Sequence, residues 1–147
     1  MSINKIEFTD LEKRISESGK SALHHLASDI GKVYVVSITR DGCPACKKQK
    51  PRIEKLAKNA AEKYGNKVIF TQVHVKYSPG EDKESRRSKD VFGHYFYPTN
   101  LILLRTADRG AIEYYRNVSP TMTELKTNIQ TTFETATMIE KDAQEKR

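Results

Sequence analysis

The chain contains no tryptophan and only two cysteines in 147 residues. Two cysteines exclude a disulfide-rich scaffold and a four-cysteine zinc ribbon. No apolar run approaches the ~18–20 residues that a membrane span requires; Val33–Val36 amounts to part of a strand. Gly/Ser-rich and Pro-rich linkers are missing, and no segment repeats. One domain over 1–147 is expected, with a core over about 5–133 and 134–147 as a helix end or frayed tail. The N-terminus, Met1-Ser2-Ile3-Asn4-Lys5, lacks the apolar centre of a signal peptide. A cytoplasmic location is expected, or a secreted or periplasmic one if a leader has been removed. A monomer away from membranes is expected.

Charge is abundant and uneven. The net charge is +7, from 26 basic and 19 acidic residues. Arg40, Lys47, Lys48, Lys50, Arg52, Lys55 and Lys58 face only Asp41 and Glu54 within residues 40–58, and both cysteines lie in that stretch. A solvated helix face is one reading of it. A field that favours a thiolate and attracts acidic partners is another. The stretch lacks the interleaved aromatics of a single-strand nucleic-acid surface, so no nucleic-acid partner is expected.

Periodicity orders the elements. Ile6 to Thr9 reads as a first strand, and Thr9 with Glu12 as a capping box for a helix carrying Leu11, Ile15, Leu23, Leu26 and Ile30. Gly19 breaks that helix and Gly31 ends it. Val33–Thr39 is apolar without clean alternation, as a strand buried on both faces is. From Cys43 to Tyr64, Ile53, Leu56, Ala57, Ala60, Ala61 and Tyr64 recur at helical spacing, with Pro51 as a kink. Val68–Val75 is a strand and Ser78-Pro79-Gly80 a turn. The charged stretch Glu81–Asp90 leads into a short helix ending near Gly93. Asn100–Leu104 and Ile112–Tyr115 form a hairpin about Asp108-Arg109-Gly110. Met122, Leu125, Ile129 and Phe133 stripe a last helix, and the polar end from Glu140 frays. The order β-α-β-α-β-α-β-β-α predicts an α/β fold, a central mixed sheet with helices on both faces.

Cys43-Pro44-Ala45-Cys46 follows the buried strand and opens a helix. Two intervening residues at a helix start let the sulfurs meet in a small ring. Cys43 at the N-cap faces unpaired backbone N–H groups, which favour the nucleophilic thiolate. Pro44 at the first helical position loses no hydrogen bond. Cys46, one turn deeper, is expected to be the more buried. Two structural thiols, or half of a metal site, are the alternatives. A zinc site needs two more ligands, and His24, His25, His74 and His94 show no ligand spacing toward the pair. No metal is expected. His24 and His25 read as a surface pair, His74 as a sheet residue and His94 as a polar group near the site.

In these features the chain resembles the thioredoxin family. The resemblance rests on the strand Val33–Thr39, Cys43 and Cys46, the following Lys47, Pro51, and Tyr97-Pro98-Thr99 before an apolar strand. It spans roughly Lys5 to Gln130. It implies a thioredoxin-like fold, a cis Pro98 against the cysteines, and a Tyr97 backbone that pairs with an extended substrate. Gly42, Pro44, Tyr97 and Pro98 are then the substrate-binding residues, and Cys43 and Cys46 the catalytic ones. The chain departs from the family in places. Gly42 stands where thioredoxins carry Trp, and Ser37 and Gln72 where they carry a buried Asp and Lys. Pro-Ala replaces their Gly-Pro dipeptide. Pro in the first slot is similar to glutaredoxins, but their Gly-Gly after the cis-proline region is missing.

The implied activity is thiol–disulfide exchange with protein substrates. Cys43 attacks, Cys46 resolves, a separate reductase supplies electrons, and no cofactor takes part. A client-binding module with little redox turnover is the alternative. Peroxide reduction on the same fold needs one activated cysteine in a different loop. Tyr95, Phe96 and Tyr97 form a platform near Pro98, with at least one of them turned into the core.

Overall fold

The computed structural model describes residues 3–145. The elements are β1 (Asn4–Glu7), α1 (Phe8–Ser18), α2 (Ala22–Leu26), β2 (Val33–Arg40), α3 (Pro44–Tyr64), β3 (Val68–Val75), α4 (Lys83–Phe92), β4 (Thr99–Thr106), β5 (Gly110–Val118) and α5 (Met122–Glu145). A single sheet has the order β1-β3-β2-β4-β5. β1, β3 and β2 pair in parallel, while β4 and β5 add antiparallel at the other side. The sheet is mixed, with helices on both faces.

Strand alternation divides the core. Tyr34, Val36 and Ile38 of β2 pack with Phe8, Leu11, Leu26 and Phe92 under α1, α2 and α4. Val33 and Val35 pack with Ile53, Leu56, Leu125 and Ile129 under α3 and α5. β2 is buried on both faces from Val33 to Thr39. Each large apolar side chain so buried stabilises the fold by about 1.5–3 kcal/mol.

Three expectations are corrected. The first strand ends at Glu7, and the helix begins at Phe8 with Glu7 as its N-cap and no side-chain cap bond. Phe8 is fully buried, so its entry into the core sets the helix start in place of the Thr9–Glu12 box. Ile30 is 64% exposed and lies beyond α2, which ends at Leu26, so it belongs to no buried stripe. Gly19, at φ 71, does cap α1 and separate it from α2. The charged stretch after Glu81 does not precede α4 but forms it, and Ser85, Ser88 and Phe92 make its buried face. α3 runs through Pro51 as one helix. α5 is helical as far as Glu145; Lys146 and Arg147 of the expected frayed end, like Met1 and Ser2 of the signal-peptide reading, lie outside the described residues. No helix among the described residues is long and apolar enough to cross a membrane.

The α3-facing side of the sheet turns polar toward the strand ends. Register places Lys5, Gln72, Ser37 and Asn100 in one row, and Glu7, His74 and Thr39 in the next. These rows lie under the first turns of α3, where the cysteines are.

Candidate active site

β2 runs out at Arg40, and Gly42, at φ 65, turns the chain into α3. Cys43 is the N-cap, with extended backbone, and Pro44 opens the helix. The Cys46 backbone N–H donates to Cys43 Sγ at 3.1 Å. One orphan helix donor thus already points at this sulfur. Cys43 and Cys46 are joined as a disulfide, with Cα atoms 5.2 Å apart, inside the usual range for such a bond.

Burial of the pair differs from expectation. Cys43 is 4% exposed and Cys46 9%, so the N-cap residue is the less exposed of the two. The segment before β4 covers it. The Tyr97–Pro98 peptide bond is cis, and the Tyr97 carbonyl oxygen lies 3.6 Å from Cys43 Sγ. Pro98 is buried, and Gly42 and Pro44, which flank Cys43 in the chain, are exposed. A cleft of about 220 Å³ opens beside both cysteines, between α3 and the polar rows of the sheet.

Tyr97 is held from several sides. Its hydroxyl lies 3.2 Å from Ser85 Oγ, and its ring meets His94 edge-on at 4.8 Å between centroids. His94 is itself buried. Its Nδ1–H donates to the Phe96 carbonyl at 3.2 Å, which leaves Nε2 to accept from the Ser88 hydroxyl at 3.0 Å. Burial, opposed by the bond to Phe96, pulls the His94 pKa from 6.5 down to about 4. His94 is therefore a neutral prop for Tyr97 rather than an open site group. Of the three aromatics, Tyr97 packs against the core while Tyr95 and Phe96 are 79% and 66% exposed.

Sequence reasoning missed two polar assemblies. In the first, Ser37 Oγ donates to Asn100 Oδ1 and Asn100 Nδ2 donates to Gln49 Oε1, both at 2.7 Å and buried. It ties β2 and β4 to α3 one turn past Cys46. Gln72 Nε2 donates to Thr39 Oγ1 at 2.8 Å beside it. In the second, His74 Nε2–H donates to Asp41 Oδ1 at 2.7 Å, while Nδ1 lies 3.6 Å from Glu7 Oε2. That nitrogen and that oxygen are both buried without a hydrogen-bond partner. Period-2 alternation in four strands places Glu7, Ser37, Thr39, Gln72, His74 and Asn100 on one face, and the strand register brings them level.

Glu7 and Asp41 address opposite nitrogens of His74 and so do not converge on one point. Among the described residues no group of three His, Cys, Asp or Glu side chains is placed to hold a metal. His24 and His25 pack edge-on at 5.4 Å on α2. Lys47, Lys48, Lys50, Arg52, Lys55 and Lys58 of α3 are all exposed.

No protein-family model matches the sequence, and no curated protein matches it either. Solved structures do match in fold. Thioredoxin f2 of Chlamydomonas reinhardtii superposes with a TM-score of 0.59 at 15% identity, over 89% of this chain and 96% of that one. The Malassezia sympodialis thioredoxin gives 0.59 at 20%, over 90% and 91%. The Fasciola hepatica thioredoxin gives 0.54 at 22%, over 88% and 98%. These likenesses establish a thioredoxin-like fold.

Proposed function

We propose that the protein is a thiol–disulfide oxidoreductase acting on disulfides of protein substrates, with Cys43 and Cys46 as its redox pair. The observation that carries this reading is the placement of Cys43. Its sulfur caps a helix N-terminus, where backbone N–H groups favour a thiolate, and lies beside the Tyr97 carbonyl. A substrate strand laid along Tyr97 brings its disulfide to that sulfur, and meets Gly42, Pro44 and Pro98, which flank Cys43 and Tyr97 in the chain.

The Cys43 thiolate attacks one substrate sulfur. A bond to Cys43 forms, the substrate S–S bond breaks, and the departing thiolate takes a proton. Cys46 then loses its proton and attacks Cys43. The Cys43–Cys46 bond forms, the mixed disulfide breaks, and the second substrate thiol leaves protonated. The substrate gains two electrons from the cysteine pair and two protons, one from solvent and one balanced by the proton that Cys46 loses. A separate reductase restores the dithiol, a direction that belongs with a cytoplasmic setting.

Thioredoxins use a buried carboxylate near the resolving cysteine, and neutral Ser37 and Gln72 stand here instead. The cleft beside Cys46 reaches His74, whose Nδ1 has no hydrogen-bond partner. His74 takes the Cys46 proton, through water in the cleft.

The exposed Tyr95 and Phe96 favour a second reading, a module that binds clients without turnover. Reduction of a protein disulfide by dithiothreitol, followed by free-thiol release, separates the two. A catalytic amount that speeds thiol release supports the oxidoreductase. A protein that only delays aggregation, with thiol release unchanged, supports the binding module.

A further inference from the structure

A second cleft, of about 380 Å³, lies on the far side of Tyr97 from the polar rows, between the end of β2 and α4. Arg40 lines it, and lines the cleft beside the cysteines as well. The guanidinium carbon is 3.9 Å from the Tyr77 ring centroid and 5.6 Å from that of Tyr97. Stacking of this kind holds a guanidinium in place without using its hydrogen-bond donors. Arg40 makes no ion pair or side-chain hydrogen bond among the described residues. The nearest acid in sequence, Asp41, is committed to His74 and to the Tyr77 backbone N–H.

The rest of the lining has the same sign. α4 contributes Arg86 and Lys89 against one acid, Asp82, which Arg86 already engages at 3.0 Å. The exposed Tyr95 and Phe96 form the remaining wall. Two cationic groups, Arg40 and Lys89, are thus left unneutralised in a cleft walled by aromatics. Tyr97 joins this cleft to the redox pair, since its ring lines the cleft and its carbonyl lies beside the Cys43 sulfur. A substrate strand along Tyr97 advances roughly 3.3 Å per residue. A side chain one or two residues from the substrate cysteine therefore falls at the cleft.

Resting on the oxidoreductase reading, we infer that this cleft selects substrates carrying an Asp or Glu within two residues of the disulfide-bonded cysteine, with Arg40 receiving the carboxylate. The planar guanidinium offers paired donors to a carboxylate, and the aromatic wall accepts an apolar neighbour on the substrate. The preference is local to this cleft, unlike the general pull of the exposed lysines of α3.

The test uses two disulfide-bonded peptides that differ only in Glu or Gln two residues from a cysteine. A pairing energy near 1 kcal/mol gives the Glu peptide about fivefold higher kcat/KM at low salt. The ratio falls toward one in Arg40→Gln and falls partway in Lys89→Gln. A second readout needs no turnover. Cysteine-free versions of both peptides are titrated into the oxidised protein, with the Arg40 Nε–H and Tyr97 amide signals followed by NMR. Shifts of both signals at lower concentrations of the Glu peptide support the cleft. A wild-type ratio of one, a ratio unchanged in Arg40→Gln, or equal titrations overturn it. So does a single-stranded oligonucleotide that displaces the acidic peptide at lower concentration, because the cleft is then a phosphate site. Failure to turn over either peptide, with the NMR preference intact, overturns the oxidoreductase reading and leaves the cleft's preference for acidic segments standing.

Discussion

The Cys43 sulfur lies 3.6 Å from the Tyr97 carbonyl oxygen, across 54 residues of sequence. The contact joins two elements of different origin, a helix start that favours negative charge and a backbone acceptor that disfavours it. The acceptor is suited to a substrate N–H. Tyr97 also carries the ring that stacks near Arg40, so its backbone faces the redox pair and its side chain faces the basic cleft.

Asn100 is fully buried and bridges Ser37 to Gln49. Asn100→Ala leaves both partners unsatisfied and opens a small cavity. The expected cost is about 3 kcal/mol, read from the midpoint of urea unfolding. A loss below about 0.5 kcal/mol, the level of an ordinary surface change, shows that the relay contributes little.

His94 ties stability to pH. The unfolded side chain takes up a proton near 6.5, and the folded one only near 4. Between those values the unfolded chain binds more protons, so lowering the pH destabilises the fold. The contribution is full above 6.5 and is lost as the pH falls toward 4. Its size is on the order of 2 kcal/mol. Unfolding free energies from pH 7 to 4 are expected to fall less steeply in His94→Gln than in wild type. Parallel curves rule out this assignment.

The fold was legible because its signals are local. The apolar run Val33–Thr39 and the 3.6 period of α3 each lie within one element. The start of α1 was not, because burial of Phe8 overrides a good capping box. The helix ending at Gly93 was legible, but its start was placed too late, because serines, rather than large apolar side chains, mark most of its inner face. The cysteine pair declares itself by spacing alone. The Ser37–Asn100–Gln49 relay and the Glu7–His74–Asp41 cluster depend on strand register, which brings together residues 33 to 67 positions apart.

His74 is tested at the resolving step. His74→Asn, with a mixed disulfide preformed on Cys43, is expected to slow release of the substrate thiol by about tenfold. That is below the usual range for a general base, because water in the cleft replaces part of the role. Lys5, Glu7, Asp41, Lys47 and Lys50 line or flank the same cleft and stay in place. Equal release rates in variant and wild type mean that the proton leaves by another route.

The central claim is that Cys43 makes the bond to substrate and Cys46 breaks it. Cys46→Ser, reduced and mixed with a disulfide-bonded protein, is followed by mass spectrometry. The account predicts a persistent covalent adduct through Cys43 and no adduct with Cys43→Ser. An adduct that forms as fast on Cys46 of the Cys43→Ser protein, or none in either variant, contradicts it.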